Sequence, residues 1–242
     1  VWVTGNKAQI KLSSKDTVLV TFILGQLSKI DSRLKEFVSF TDKVNGFDAV
    51  IATGSDNSSR YFSYYVSKYP SIIRKNRTSV AIFSGNETDN DIYQLGVDVF
   101  SYFGLGCRNV SKVFVPDKYP IQKLLDHWRE FEYVIQHHKY ANNYDYQKAI
   151  MMVNKTPFYD NGFALITPSK NLVSPISVVF YDSYNSTDDL NEKIDQSRNK
   201  IQCIIGNREP ASIPFGQAQF PEPVDYADHV DTMKVLIELA TA

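Results

Sequence analysis

The feature that most constrains the fold of this 242-residue chain is an alternation of strand-like and helix-like segments. Short β-type runs at 37–40 and 47–52 alternate with helical patterns of apolar residues over 18–27 and 58–68. Such alternation is typical of βαβ units, so it predicts a mostly parallel sheet and an α/β fold. Further β-type runs lie at 78–83, 113–115, 163–166, 176–181 and 201–205, with helical patterns over 88–103, 121–138, 142–153, 187–199 and 232–239.

Composition and charge argue against several classes of protein. The chain is 43% hydrophobic and 22% charged with a formal net charge of −1, so it lacks the basic surface typical of nucleic-acid binding. Its longest apolar run, over residues 18–24, is too short to span a bilayer. Two cysteines, Cys107 and Cys203, do not make a disulfide framework, which favours the reducing environment of the cytoplasm.

The most informative single stretch is the loop that contains Cys107. A helical pattern ends at Gly104-Leu105-Gly106, Cys107 follows immediately, and the β-type run 113–115 comes next. Glycine allows a ligand to approach the backbone closely, so a thiolate placed here can act as a nucleophile while its own backbone N–H stabilises an oxyanion. The alternative is that Cys107 is a small buried hydrophobic residue, as free cysteines more often are.

Two junctions between a strand and a helix have the pattern of phosphate-binding turns. One is Lys11-Leu12-Ser13-Ser14-Lys15 and the other is Gly54-Ser55. A helix N-terminus offers unpaired N–H groups and the positive end of the helix dipole, which suits phosphate. Ordinary helix capping explains either junction as well. Neither matches Gly-x-Gly-x-x-Gly, so the conventional dinucleotide-binding fingerprint is not supported.

The remaining titratable residues give weaker indications. The four histidines are scattered without ligand spacing to the cysteines, so we expect no metal site. His137 or His138 is a candidate base for Cys107, although both also fit a solvated helix face. Three acidic residues lie at the start of a helical pattern, namely Glu87, Asp89 and Asp91. Capping and the helix dipole explain acidic residues at this place without catalysis.

Several short segments occur in the order in which one enzyme superfamily uses them. They are Thr4-Gly5-Asn6 with Lys11-Leu12-Ser13-Ser14, then Ala52-Thr53-Gly54-Ser55, Gly106-Cys107 with 111–115, and Pro214-Phe215-Gly216. The chain resembles the aldehyde dehydrogenase superfamily, and most closely its acyl-CoA reductase branch, which includes the LuxC-like fatty-acid reductase of bacterial luminescence. The stretches 103–109, 139–144 and 213–219 are similar to that branch specifically, and the collinear matches cover nearly the whole chain.

The departures from the family pattern are informative. The region 71–76, where hydrolytic members carry the glutamate that activates water, contains no carboxylate, and an acyl-enzyme without that base survives to accept hydride. The acidic residue that commonly binds the ribose hydroxyls is replaced by Ser14, with Lys15 beside it. This exchange tolerates a 2′-phosphate and favours NADPH over NADH. The segment with the oxyanion-hole asparagine would precede Val1.

The resemblance therefore implies a Rossmann-type cofactor domain, incomplete at its N-terminus, over 1–74 and an α/β catalytic domain over 75–242. It implies reduction of an acyl-CoA, or another acyl thioester, to an aldehyde by a cytoplasmic homo-oligomer with NADPH, or alternatively NADH. Arg108, a histidine and the bound cofactor stay open as activators of the nucleophile. The implied site residues are Cys107 for catalysis and Lys11, Ser13, Ser14, Lys15, Gly54 and Ser55 for cofactor binding.

Two other functions stay open at the level of sequence. The first is an NAD(P)-dependent aldehyde dehydrogenase that uses the same cysteine without CoA. The second is a truncated, non-catalytic fragment that binds a partner or packs as a subunit. An assay with free aldehyde separates the first from an acyl-CoA reductase, and cofactor binding with turnover separates the second.

Overall fold

The chain divides into two compact units. The computed structural model describes residues 1–54 and 56–241, without the side chains of 56–60. One unit contains Val1–Lys75 and the stretch that starts at Tyr226, and the other contains Asn76–Asp225.

The first unit is built from two small βαβ repeats. In each repeat one helix connects two strands, which pair in parallel as the alternating sequence pattern predicts. Residues Trp2–Thr4 form a 3₁₀ turn that ends at Gly5, where φ is +76° and favours glycine. The elements are β1 (Ala8–Ile10), α1 (Leu19–Ile30), β2 (Val38–Phe40), β3 (Val50–Thr53), α2 (Asp56–Tyr65) and β4 (Ser71–Arg74).

The second unit is organised on a six-stranded sheet. Its strands are β5 (Thr78–Ile82), β6 (Val110–Pro116), β7 (Tyr159–Asp160), β8 (Leu165–Pro168), β9 (Val178–Tyr184) and β10 (Ile201–Ile205). Their order is β10-β5-β6-β9-β8-β7, and all pairs are parallel except that of β7 with β8. The predicted mostly parallel sheet and α/β class are therefore confirmed.

Each helical pattern of the second unit contains a helix, although the bounds differ and one predicted helix is divided. These helices are α3 (Asp89–Phe100), α4 (Gln122–His127), α5 (His138–Val153) and α6 (Thr187–Asp195). The single helix predicted over 121–138 is wrong, because α4 ends at His127 and a 3₁₀ segment continues to Gln136. Trp128 lies at this break, fully buried, and donates its indole N–H to the carbonyl oxygen of Ile92 at 2.9 Å.

Apolar side chains cover both faces of this sheet. In β5, Ala81 belongs to a core cluster that contains Trp128, whereas Val80 belongs to a second cluster that contains Leu190 and Ile194 of α6. Every residue of β5 and β10 is buried. This burial explains why the apolar residues 80–82 and 203–205 of these strands are consecutive rather than alternating with polar ones.

Gly96 allows α3 to approach the aromatic side chains of this core. A Cβ atom at Gly96 would overlap the rings of Phe131 and Trp128. We therefore expect Gly96→Ala to lower the free energy of unfolding by about 2 kcal/mol, although alanine is the better helix former by about 1 kcal/mol. Gly25 in α1 has no atom within 4 Å of such a Cβ, so Gly25→Ala is the matched control and should be neutral or stabilising. Urea unfolding measures both, and equal effects would contradict this packing.

The C-terminal stretch returns to the first unit. Its helix α7 (Thr232–Ala240) accepts a hydrogen bond from the side chain of Asn6 at the carbonyl oxygen of Leu236, at 2.8 Å. The Arg74 guanidinium lies 3.3 Å from the hydroxyl of Thr232. The structure groups the stretch that starts at Tyr226 with Val1–Lys75, and the catalytic domain over 75–242 that the resemblance implies stays a prediction. Within 1–54 and 56–241, none of the helices has the length and apolar character needed to cross a membrane.

Candidate functional site

Cys107 lies exposed in a turn between α3 and β6. The backbone N–H of Asn109 donates to the carbonyl oxygen of Gly106 at 3.1 Å, so Cys107 and Arg108 occupy the two central positions of a β-turn. Cys107 is therefore not the buried hydrophobic residue that the alternative interpretation requires. Its own N–H has no acceptor among residues 1–54 and 56–241, which leaves it available to an oxyanion.

The side chain of Asn109 fixes this turn to the C-terminal end of α3. Asn109 is 3% exposed, and its Nδ2 donates to the carbonyl oxygens of Asp98 and Ser101, both at 2.9 Å, and of Val99 at 3.3 Å. Its Oδ1 accepts the N–H of Gly106 at 2.8 Å. The last carbonyl groups of a helix carry its negative end and lack partners within the helix. One buried amide therefore satisfies these carbonyl groups and anchors the turn.

The backbone before the turn adopts an uncommon conformation. Tyr102, Phe103 and Gly104 have φ values of +52°, +60° and +71°. A non-glycine residue with left-handed backbone angles destabilises the folded state by about 1 kcal/mol, and such a conformation persists where surrounding contacts hold it. Here the ring of Phe103 packs against His137, with 4.5 Å between ring centroids. The predicted helix therefore ends before Phe103, and the loop that leads to Cys107 is held by an aromatic contact.

The two candidate bases lie at the start of α5. His137 precedes the first residue of the helix and contacts the loop that leads to Cys107 through its packing on Phe103, and His138 is the exposed first residue of the helix. A further histidine, His127, lies 3.2 Å from the carboxylate of Asp89, the first residue of α3, whereas the turn lies beyond the other end of that helix. In the described part of the chain no group of three or more His, Cys, Asp or Glu side chains is arranged to hold a metal ion.

Asp98 is a buried carboxylate that holds the segment 214–219 in place. Its two oxygens accept the N–H of Gly216 at 2.7 Å and that of Ala218 at 3.0 Å. Burial raises the pKa of Asp98 to about 6, against the lowering effect of these two hydrogen bonds and of the Arg108 charge. Arg108 also donates its Nε–H to the carbonyl oxygen of Ala218. At Gly216 φ is +80°, and a Cβ there would overlap Gln94, so the segment requires glycine at this position.

Ser79 of β5 connects the turn to the neighbouring strand. Its hydroxyl donates to the carbonyl oxygen of Cys107 at 3.0 Å and accepts the N–H of Cys203 at 3.2 Å. Ser79 is fully buried. A single side chain therefore links the exposed cysteine of the turn to the buried cysteine of β10.

The predicted cofactor residues Lys11, Ser13, Ser14 and Lys15 lie in the first unit. They form one exposed loop that follows β1 and leads to α1. The hydroxyl of Ser13 accepts the N–H of Lys15 at 3.2 Å. The carboxyl ends of parallel strands are where α/β sheets bind ligands, so the loop lies at the expected edge of its strand pair.

A carboxylate bonds to the backbone just before α1. Oδ1 of Asp16 accepts the N–H of Val18 at 3.1 Å and that of Leu19 at 3.0 Å. These two amides therefore already have an acceptor, which is supplied by Asp16 and not by one of the serines. A phosphate at this loop would instead be held by the exposed ammonium groups of Lys11 and Lys15.

The second predicted junction follows β3. The N–H of Gly54 donates to the carbonyl oxygen of Arg74 at 3.3 Å and extends the β3–β4 pair by one residue. Ser55 lies outside the described residues. Gly54 and the Lys11 loop thus follow the carboxyl ends of two different parallel strands in the first unit, and Cys107 lies in the second unit.

Three residues that build the Cys107 turn were missed by reasoning from the sequence. These are Asn109, Ser79 and Asp98, whose side chains all bond to backbone atoms. Asn109 bonds to the residues just before the turn, and the other two bond to segments that are distant in the chain. The sequence contains one indication, because Asp98 interrupts a core-facing helical pattern between Leu95 and Val99. An acidic residue at such a position indicates a buried carboxylate with specific partners.

No protein-family model matches the sequence, and no curated protein matches it. Solved structures do match. Indole-3-acetaldehyde dehydrogenase AldA of P. syringae, in complex with NAD⁺ and IAA, is 11% identical with a TM-score of 0.60 over 86% of this chain and 52% of that one. Proline utilization A (PutA) of Bradyrhizobium japonicum is 12% identical, with a TM-score of 0.60 over 80% and 24% of the two chains.

A third match is the Δ-pyrroline-5-carboxylate dehydrogenase of Mycobacterium tuberculosis, which is 14% identical with a TM-score of 0.54 over 83% of this chain and 46% of that one. The predicted aldehyde dehydrogenase-like fold is therefore confirmed. The chain spans about half the length of AldA and about a quarter of PutA.

Proposed function

We propose that this chain belongs to a nicotinamide-dependent oxidoreductase in which Cys107 forms an acyl-enzyme, and that its reaction reduces an acyl-CoA, or another acyl thioester, to an aldehyde with NADPH. The observation that carries the proposal is the exposed thiol of Cys107, held in a turn by a buried asparagine amide. The fold, shared with aldehyde dehydrogenases, supports it.

The turn provides what a thiol nucleophile requires. The Cys107 thiolate attacks the thioester carbonyl carbon, the bond from that carbon to the CoA sulfur breaks, and CoA leaves as a thiolate that takes up a proton. The N–H of Cys107 donates to the oxygen that gains charge. A nicotinamide cofactor bound to the protein would supply the hydride that reduces the acyl group. The sulfur of Cys107 would hold the resulting thiohemiacetal until the bond between carbon and sulfur breaks, which releases the aldehyde and restores the thiolate.

Three residues shape the surroundings of the Cys107 sulfur. Asn109 donates to three carbonyl oxygens at the end of α3, where the negative end of the helix dipole lies. Arg108 adds a positive charge next to Cys107 in the chain. His137 packs on the loop that leads to the turn and is the candidate proton acceptor.

The cofactor residues of the first unit fit a phosphate-bearing ligand through their side chains. Lys11 and Lys15 present exposed ammonium groups, and Ser14 carries a hydroxyl where a carboxylate would repel a 2′-phosphate. Asp16 already occupies two amides at the start of α1. We therefore propose that the lysines hold the cofactor phosphates and favour NADPH over NADH, with Gly54 and Ser55 as further contacts.

An NAD(P)-dependent aldehyde dehydrogenase is the second candidate, because the matching structures include dehydrogenases of this type. The absence of a carboxylate in the 71–76 segment favours reduction instead. That segment forms β4, and without a base to activate water an acyl-enzyme is hydrolysed slowly.

Acyl-enzyme trapping tests the proposal. Incubation of the reduced protein with a long-chain acyl-CoA should add one acyl group to the intact mass, and Cys107→Ala should show no adduct. Cys203→Ala is the matched control and should be acylated like the wild type. The absence of an adduct on the wild type, or an equal adduct on Cys107→Ala, would remove the nucleophile from the proposal.

Addition of NADPH or NADH to the trapped protein separates the candidates. An acyl-CoA reductase loses the adduct and releases aldehyde, faster with NADPH. Reduction of NADP⁺ or NAD⁺ by free aldehyde, without acylation by acyl-CoA, would identify the aldehyde dehydrogenase. An adduct that persists with both cofactors would show that this chain is acylated but does not carry out the reduction.

A further inference from the structure

Cys203 is a second thiol that the proposed reaction does not use, and Ser79 links it to the Cys107 turn. The hydroxyl of Ser79 lies 3.0 Å from the carbonyl oxygen of Cys107 and 3.2 Å from the amide nitrogen of Cys203. These two backbone atoms are therefore no more than about 6.2 Å apart, which is the sum of the two distances.

The side chain of Cys203 lies on the same side of the sheet as the turn. It packs in the core cluster that contains Ala81 and Ala218, whereas its neighbour Ile204 packs in the cluster on the other face. Burial raises the pKa of the Cys203 thiol. The Arg108 charge and a hydrogen bond with Ser79 lower this pKa, and the proximity of Cys107 raises it. The backbone of Cys203 contacts Ser79, whose hydroxyl also contacts the Cys107 turn.

We propose that Cys107 and Cys203 form a reversible intramolecular disulfide when peroxide oxidises the protein. A disulfide requires Cα atoms about 4.4 to 6.8 Å apart. The shared contact with Ser79 limits the separation of the two residues, and the exposed turn that carries Cys107 is the part that moves to meet this requirement. Cys107 occupies a turn position, follows a glycine and faces solvent, so its side chain is free to rotate toward the sheet. Cys203 is held in β10 and needs no movement.

The difference in exposure assigns the roles of the two thiols. Cys107 is exposed and meets the oxidant, whereas Cys203 is 4% exposed and is shielded from it. Peroxide transfers one oxygen atom to Cys107, which gives a sulfenic acid and releases one water molecule. The Cys203 thiol then attacks that sulfur, the S–O bond breaks, the S–S bond forms and a second water molecule leaves. The two thiols lose two electrons and two protons in total.

The disulfide removes the nucleophile reversibly and protects it from irreversible oxidation to the sulfinic acid. Its effect on acylation rests on the proposed function. Formation of the disulfide does not rest on that function, because it can be tested without any acyl substrate or cofactor.

Oxidation of the whole chain with hydrogen peroxide, followed by intact mass and non-reducing peptide mapping, tests the pairing. The wild type should lose two hydrogen atoms and yield a linked peptide that contains both cysteines, and dithiothreitol should reverse the change. Cys203→Ala should instead gain oxygen atoms on Cys107, with at least about tenfold more sulfinic acid at equal peroxide. Equal sulfinic acid in both proteins, or disulfides only between two chains, would overturn the proposal.

Two further measurements separate this result from misfolding and from the proposed function. Cys203→Ser, compared with the wild type by circular dichroism and thermal unfolding, provides a second variant if the alanine form does not fold. Ser79→Ala keeps both thiols and should slow disulfide formation. If the disulfide forms in the wild type but the reduced protein is never acylated on Cys107, then the proposed function fails and the disulfide stands.

Discussion

Replacing Asn109 with alanine is expected to lower the free energy of unfolding by about 4 kcal/mol. The substitution leaves the N–H of Gly106 and the carbonyl oxygens of Asp98, Val99 and Ser101 without their partner. Each buried polar group left without a hydrogen bond lowers the free energy of unfolding by about 1 to 3 kcal/mol. The total loss is smaller than the sum over these groups, because the structure relaxes and water enters the site. Urea unfolding at neutral pH measures the loss.

Asn109→Asp is the matched control, because it keeps the side-chain volume and the acceptor for Gly106. It removes the donor and places a negative charge against the C-terminal end of α3, where the helix dipole disfavours it. Its destabilisation should therefore be larger at pH 7 than at pH 4. Both variants should also slow acylation of Cys107, since the turn is released from the helix. A variant that unfolds like the wild type would show that Asn109 does not anchor the turn.

Replacing Asp98 with asparagine is expected to remove a pH dependence of about 3 kcal/mol. Burial raises the native pKa of Asp98 to about 6 from an ordinary value of 3.8, although hydrogen bonds from Gly216 and Ala218 oppose the increase. Between these pH values the native carboxyl is protonated and the unfolded one is ionised. The native state then binds more protons, so its stability falls as the pH rises from about 4 to about 6. The difference between the two pKa values corresponds to about 3 kcal/mol.

Urea unfolding of the wild type and of Asp98→Asn at several pH values between 4 and 7 measures this effect. The difference in unfolding free energy should favour the wild type by about 2 kcal/mol more at pH 4 than at pH 7, because the unfolded carboxyl is already partly ionised at pH 4. Parallel curves for the two proteins would contradict the buried, ionisable state of Asp98.

Asp91 on the same helix is a control of opposite sign. Slight burial raises the pKa of Asp91, but hydrogen bonds from Thr88 and Asn207 outweigh it and lower the pKa overall. Its contribution is therefore present above the unfolded pKa and is lost as the pH falls. Asp91→Asn should accordingly cost more stability at pH 7 than at pH 4.

Local chemistry explains why much of the fold was predictable. The capping box in which Thr88 and Asp91 bond to each other's backbone is a sequence signature, and α3 begins there in the structure. The buried strand β10 was predicted with its observed bounds, because an apolar run covered on both faces needs no further information.

The predictions failed where a distant side chain decides the local conformation. The helical pattern over 121–138 is broken at Trp128, whose indole is buried against α3, and packing of this kind leaves no mark on helical periodicity. Similarly, the pattern of α3 extends to Phe103, but that residue turns to the left-handed region and packs on His137.

By itself the sequence determined the α/β class and the glycine-containing loop of Cys107, because each depends on residues that are neighbours in the chain. Its resemblance to the aldehyde dehydrogenase superfamily implied the particular fold. Only the tertiary structure decided that Cys107 is exposed, that Asn109 and Asp98 hold its surroundings, and that Ser79 joins it to Cys203. The physical reason is that a buried polar side chain must find its partners wherever the fold presents them. Sequence spacing does not encode those distances.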